Sequence, residues 1–296
     1  MANSIALAEK YQPLLDEVYK TASKTVDLES APVLFDGAQT VKVLKVALDP
    51  LSNYSRNSGF TDGSVTANWE SMNLTQDRGK EFNLDVMDNE ETLDVMAGNL
   101  LGTFIRQKVV PEIDAYRFAT LAQKAGISKA TAGTLTDATV GAAIDDAMAK
   151  LTNDEVPLED RILYLTPAVY QMLKRAQPYR FANGDTNLNR NFDVFDGMKV
   201  VQVPESRFYT KIDVKAGNTT GDTGGFAKAD DGAQINFMIV AKSAVIAVAK
   251  HVRLRIFTPD ENQEMDAYKF QYRIYHDEFV YDNKVAGIYL HAQAAA

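Results

Sequence analysis

The chain has no cysteine, so its chemistry must come from carboxylates, hydroxyls, amines and three histidines. That removes disulfides, thiolate nucleophiles and cysteine-type zinc sites. The histidines are His251, His276 and His291. None has a second histidine at ligand spacing, and no H-E-x-x-H occurs. Each sits in strand-like, aromatic sequence, which favours a structural or surface role. Asp222-Thr223-Gly224 spells the triplet with which paired aspartates share one proton in acid/base hydrolysis. Such a site needs apolar flanks. Here Asn218, Thr219, Thr220, Gly221 and Gly225 flank it, so a surface turn is expected, with a hydrolase using Asp222 as the remote alternative. The acidic stretch 228–232 could hold a hard cation weakly but lacks the twelve-residue EF-hand pattern. No GxxxxGK(S/T), GxGxxG or GxSxG occurs. Tyr268, Phe270, Tyr272, Tyr275, Phe279 and Tyr281 could stack bases. Their alternation and the neighbours Asp277, Glu278 and Asp282 favour cross-strand pairs inside a sheet instead. No catalytic, cofactor or metal site is expected.

The elements that would carry these residues point elsewhere. The 296 residues are 46% hydrophobic and 24% charged, enough for one large or two medium domains. Net charge is -9, which lacks the basic footprint of a dedicated nucleic-acid binder. The N-terminus reads as no signal peptide, and no apolar run is long enough to span a bilayer, so a cytosol-like compartment is expected.

Residues 1–40 are weakly periodic and read as an arm. VKVLKVAL (41–48) is strand-like, and 52–64 reads as a polar, Gly-bearing loop. Val65, Ala67 and Trp69 alternate with polar residues, as do Phe82, Leu84 and Val86. Between them, Gln76-Asp77-Arg78-Gly79 predicts a tight hairpin turn. A two-stranded ribbon is marginal alone, so it must lie on its own domain or on a neighbour. Asp88 to Glu91 has capping-box form, and Leu93, Met96, Leu100 and Phe104 follow at helical spacing. One long helix over 89–124 is expected, bent at Pro111 and ended by Gly126. Further helices start near Thr136 or Asp137 and at Pro167. Strands cover 161–166 and 197–204, a polar loop covers 183–191, and 235–250 should be central. The pattern is α+β, with an arm and a ribbon that need outside support. That suits an assembly protein.

The order TVKVLKV, WESMNLTQDRGKEFNLDVMDNEET, VVPEIDAYRF, INFMIVAKSAVIAV and HVRLRIFTPDENQEMDAYKFQYRIYHDEFVYDNKVAGIY resembles major capsid proteins of tailed bacteriophages. The resemblance covers most of the chain. It implies the Hong Kong 97-type capsid fold: N-terminal arm 1–40, extended loop 41–88, peripheral domain with spine helix 89–138, axial domain 139–250, and the rest of the peripheral sheet at 251–296. It implies a structural role rather than an enzyme. The chain would self-assemble into hexamers and pentamers of an icosahedral shell around double-stranded phage DNA. It would form the virion capsid, assembled in the host bacterial cytoplasm. A separate scaffolding protein and a portal are the implied partners, with non-specific DNA contact and no membrane. Trp69, Glu70, Asp77, Arg78, Lys80 and Glu81 would meet a neighbouring subunit. Some relatives cross-link through Lys–Asn bonds; Lys80 and Asn283 have the right chemical types, but no such site is assigned. The alternative is an encapsulin-type bacterial nanocompartment shell.

Overall fold

A computed structural model describes residues 23–29, 35–36, 40–57, 59–86, 101–176, 193–219 and 222–294. The expected features in 1–22, the capping box at 88–91, the helical positions Leu93, Met96 and Leu100, and the loop at 183–191 lie outside them.

In chain order the strands are β1 (Phe35–Asp36), β2 (Thr40–Leu48), β3 (Val65–Asn73), β4 (Gln76–Asp85), β5 (Ser128–Lys129), β6 (Arg161–Leu165), β7 (Val194–Phe195), β8 (Met198–Gln202), β9 (Ile212–Lys215), β10 (Gly225–Lys228), β11 (Ile235–Ala241), β12 (Val245–Phe257), β13 (Ala267–Val280) and β14 (Ile288–Ala292). The helices are α1 (Val110–Gln123), α2 (Val140–Asn153) and α3 (Pro167–Ala176).

The central sheet has the order β5-β14-β11-β6-β8-β7. Every residue of β6 and β11 is buried, and apart from Arg161 and Asn236 both read as apolar runs rather than alternating ones. One face packs with Phe118, Leu121 and Phe208, the other with Val140, Ile144, Leu151 and Leu173 from α2 and α3. The C-terminal strand β14 belongs here, paired with β11, rather than with the sheet expected for 251–296. Conversely β12 starts at Val245, ahead of the boundary expected at Lys250.

The second sheet has the order β12-β13-β4. Its Tyr272 and Ile274 pack on Ile105 and Val109, just ahead of α1, and on Val110 and Ile113 in the first turn of α1. The aromatic run of β13 pairs within this sheet, with Phe270 opposite Phe82. Where a bend at Pro111 was expected, Ile105–Val109 forms a π-helical turn. Proline has no N–H to return to the preceding turn, and a widened turn absorbs the mismatch. Gly126, at φ +87°, follows the end of α1 in a conformation that favours glycine.

The ribbon differs from expectation in its partners. β3 pairs with β2 along its whole length, Thr40 opposite Asn73 and Leu48 opposite Val65. The tight turn at Gln76–Gly79 does not form. Those residues open β4, which pairs with β13. The chain instead turns at Leu74 and Thr75, because Leu74 is buried and Asp277 takes both donors of Thr75. Gly79 serves close approach rather than a turn: a Cβ there would sit 3.0 Å from the Tyr272 carbonyl oxygen.

Candidate inter-subunit surface

The ribbon has two unlike faces because strand side chains alternate. On one face Leu44 lies opposite Trp69, Val46 opposite Ala67 and Leu48 opposite Val65. This face is apolar and uncovered: Trp69 is 63% exposed and Leu48 70%. On the other face, at the root, Val41 and Met72 are buried against Ile246 and Val248. Tyr275 donates to the Leu74 carbonyl at 2.9 Å. Asp277 accepts from Thr75 N at 2.7 Å, Thr75 Oγ1 at 2.9 Å, Tyr116 Oη at 2.8 Å and Glu278 N at 2.8 Å. The root is therefore fastened by packing and by one carboxylate with four donors, while the apolar face of the shaft is exposed.

The tip is organised too. At its neck Asp49 accepts from Ser64 N at 2.7 Å and Ser64 Oγ at 2.8 Å. These bonds hold the Asp49 carboxyl below its usual range. Beyond the neck, Tyr54 and Phe60 meet edge to face at 4.9 Å, and Ser55 bridges Gly59. Leu51 and Phe60 are fully or largely exposed. The expected polar loop thus carries an exposed apolar knob of Leu51, Tyr54 and Phe60.

The six residues expected at a neighbour separate into two groups. Trp69 and Glu70 are on the ribbon. Glu70 is on the opposite face from Trp69, and burial, then the nearby Asp282, pushes its carboxyl up. Asp77, Arg78, Lys80 and Glu81 are on β4 instead. Arg273 forks onto Asp77, with Nε–Oδ1 at 2.8 Å. Arg78 donates from Nε to Glu112 at 2.7 Å and from Nη1 to the Lys215 carbonyl at 2.9 Å. Glu81 accepts from Gln271 at 2.7 Å. These charges are used largely inside the subunit. Lys80 is exposed opposite Tyr272 within the sheet, whereas Asn283 lies in the turn beyond β13.

Asp222 behaves as a turn residue. It accepts from Gly217 N and Gly224 N, each at 2.9 Å, and these amides lower its pKa. Gly217 and Gly224 approach so closely that a Cβ on Gly217 would lie 3.0 Å from the Gly224 Cα. His276 is buried beside Tyr116, and burial pulls it down to about 3. His291 Nδ1 lies 3.1 Å from Asn236 Nδ2. Among the described residues, no three acidic or histidine side chains are grouped to hold a metal.

No protein-family model matches the chain, and no curated protein matches it in sequence. Solved structures do. The capsid structure of cyanophage P-SCSP1u matches with a TM-score of 0.60 at 16% identity, over 91% of this chain and 88% of that one. The chain has the Hong Kong 97-type capsid fold. A structure from Gordonia phage Cozz gives 0.58 at 14% identity, over 94% and 87%. A virus-like particle from Pyrococcus furiosus gives 0.55 at 14% identity, over 96% and 99%. Two features of this capsid fold escaped the sequence reading. The knob residues Leu51, Tyr54 and Phe60 were visible as large apolar residues in a loop otherwise rich in Ser, Asn and Gly. Asp114 and Arg117 lie buried on α1 with Glu278 beneath them, and the signal was a charged pair inside an otherwise apolar helix stripe.

Proposed function

We propose that this chain is the major capsid protein of a tailed phage, a structural subunit that assembles into hexamers and pentamers of an icosahedral shell around double-stranded DNA. The observation that carries the reading is the bare apolar face of the β2–β3 ribbon, on a fold shared with phage capsids. Full burial of one such side chain yields about 1.5–3 kcal/mol. Association costs about 4–15 kcal/mol in lost freedom. One ribbon contact is thus marginal, and many repeated contacts make a cooperative shell.

In this reading the arm is 1–40 and the ribbon is the extended loop lying on a neighbouring subunit. The helix through α1, with β4, β12 and β13, forms the peripheral domain. The central sheet with α2 and α3 forms the axial domain. Trp69 is the centre of the contact. A separate scaffolding protein and a portal complete the assembly in the bacterial cytoplasm, and contact with DNA is non-specific. Co-expression with candidate scaffolds, followed by microscopy, tests this: closed shells are expected. A subunit that stays monomeric under every condition contradicts it.

The archaeal virus-like particle matches over nearly its full length, so a nanocompartment shell is the second reading. Particles purified from the native source separate the two: double-stranded DNA marks the first, a protein cargo the second.

A further inference from the structure

Ser23–Glu29 crosses α1 as a short strap whose fastening is polar and buried. Asp114 accepts from Ser23 Oγ at 2.7 Å, Lys24 N at 3.0 Å and Thr25 Oγ1 at 2.8 Å, and from Arg207 Nη1 at 3.2 Å. Arg117 Nη1 donates to Thr25 Oγ1 at 2.8 Å. Leu28 inserts into the core beside Phe118. Glu29 bridges Ala247 in parallel, and Ala247 lies opposite Glu278 on β13. The two glutamates therefore flank one strand, and Arg117 reaches both: Nη2 to Glu29 at 3.7 Å and Nε to Glu278 at 3.6 Å. The Glu278 side chain is wholly buried, and among the described residues neither of its oxygens has a hydrogen-bond partner.

We propose that Ser23–Glu29 is a proton-linked strap: Arg117 holds it through Thr25 and Glu29, and ionisation of Glu278 competes for the same guanidinium and loosens it. With Glu278 neutral, Arg117 serves the strap. With Glu278 ionised, one guanidinium faces two carboxylates, and a buried, poorly compensated charge is costly. Lifting the strap admits water and relieves that cost.

Burial raises Glu278 to about 8, with Asp277 and Glu29 pushing the same way and Arg117 opposing, against 4.5 for a free glutamate. The other groups facing this space are Asp114, Arg207 and Tyr164, whose hydroxyl is raised well above its ordinary value by burial and the nearby acids. His276, on the neighbouring stretch of β13 and held down to about 3, is neutral throughout the interval. The closed strap therefore binds a proton that the open strap releases. Closure is strongest below about 4.5, weakens by at most tenfold per pH unit towards about 8, and then levels off.

The test is amide hydrogen exchange on the full-length subunit between pH 5.5 and 8, corrected for intrinsic exchange. Protection at Lys24, Leu28 and Glu29 should fall with rising pH by up to tenfold per unit. Amides of β11 should not follow it. Glu278→Gln should leave the strap protected and flat with pH. Asp114→Asn should lower protection at every pH and keep the slope. A flat wild-type profile, or an unchanged slope in Glu278→Gln, overturns the proposal. If Glu278→Gln does not fold, the wild-type comparison decides: equal slopes at the strap and β11 report a global change and overturn it as well.

Discussion

The central sheet and the ribbon are built from similar residues and differ in what covers them. In β6 and β11 every side chain is buried by elements of the same chain. In the ribbon, Leu44, Val46, Leu48, Val65 and Trp69 form an apolar face that is exposed among the described residues. One region stores its hydrophobic stabilisation in the subunit; the other, in the proposed reading, holds it in reserve for a partner. The ribbon is fastened to the second sheet, not the central one, at Leu74, Thr75 and Asp277.

Substitutions should report that division in order of size. Leu163→Ala, in the middle of β6, removes a wholly buried side chain and should destabilise the subunit by about 2–5 kcal/mol, read by denaturant unfolding. An effect below 1 kcal/mol, a threshold set by that range, would mean the central sheet is not the core. Asp277→Ala strips four donors of their acceptor at the ribbon's root. Hydrogen bonds to charged groups are each worth about 1.5–3 kcal/mol, so a loss near that size is expected, together with faster exchange at Thr75. Arg78→Glu places two carboxylates together where Arg78 now meets a mostly buried Glu112. It should cost the subunit roughly 1–3 kcal/mol, because breaking a partly shielded pair leaves a charge behind. If stability is unchanged and only particle yield falls, Arg78 belongs to the partner surface after all. Trp69→Ala should change subunit stability by less than about 0.5 kcal/mol, as for other uncovered positions, yet reduce shell formation.

How much of this was legible in the sequence followed from how locally each feature is determined. The buried strand at 161–165, the central apolar run beginning at 235 and the helix opening at Pro167 announce themselves through runs, periodicity and proline placement, while the helix expected from Thr136 or Asp137 starts a few residues later, at Val140. The ribbon's alternation also predicted two strands. It did not reveal that β3 returns to β2 rather than to β4, since either pairing keeps the apolar positions in phase. The choice rests on contacts made far along the chain, Thr75 with Asp277 and Leu74 with Tyr275. The same applies to Asp77, Arg78 and Glu81. Charge beside a glycine looks like a turn until Arg273, Glu112 and Gln271 are seen to meet it. Trp69 was readable because an uncovered strand position needs no distant partner. The Asp114, Arg117 and Glu278 cluster was not, because Glu278 comes from β13, far along the chain from the pair on α1.

The central claim is that the ribbon's apolar face is reserved for another subunit, and the chain's only tryptophan sits on it. Intrinsic fluorescence of Trp69, followed from free subunits to assembled shells with iodide as quencher, tests this directly. A large aromatic buries on the order of 150–250 Å² when covered. The account predicts red-edge emission and strong quenching in free subunits, then a blue shift and weak quenching in the shell. Emission already blue in the free subunit, or red and freely quenched in the finished shell, would contradict it.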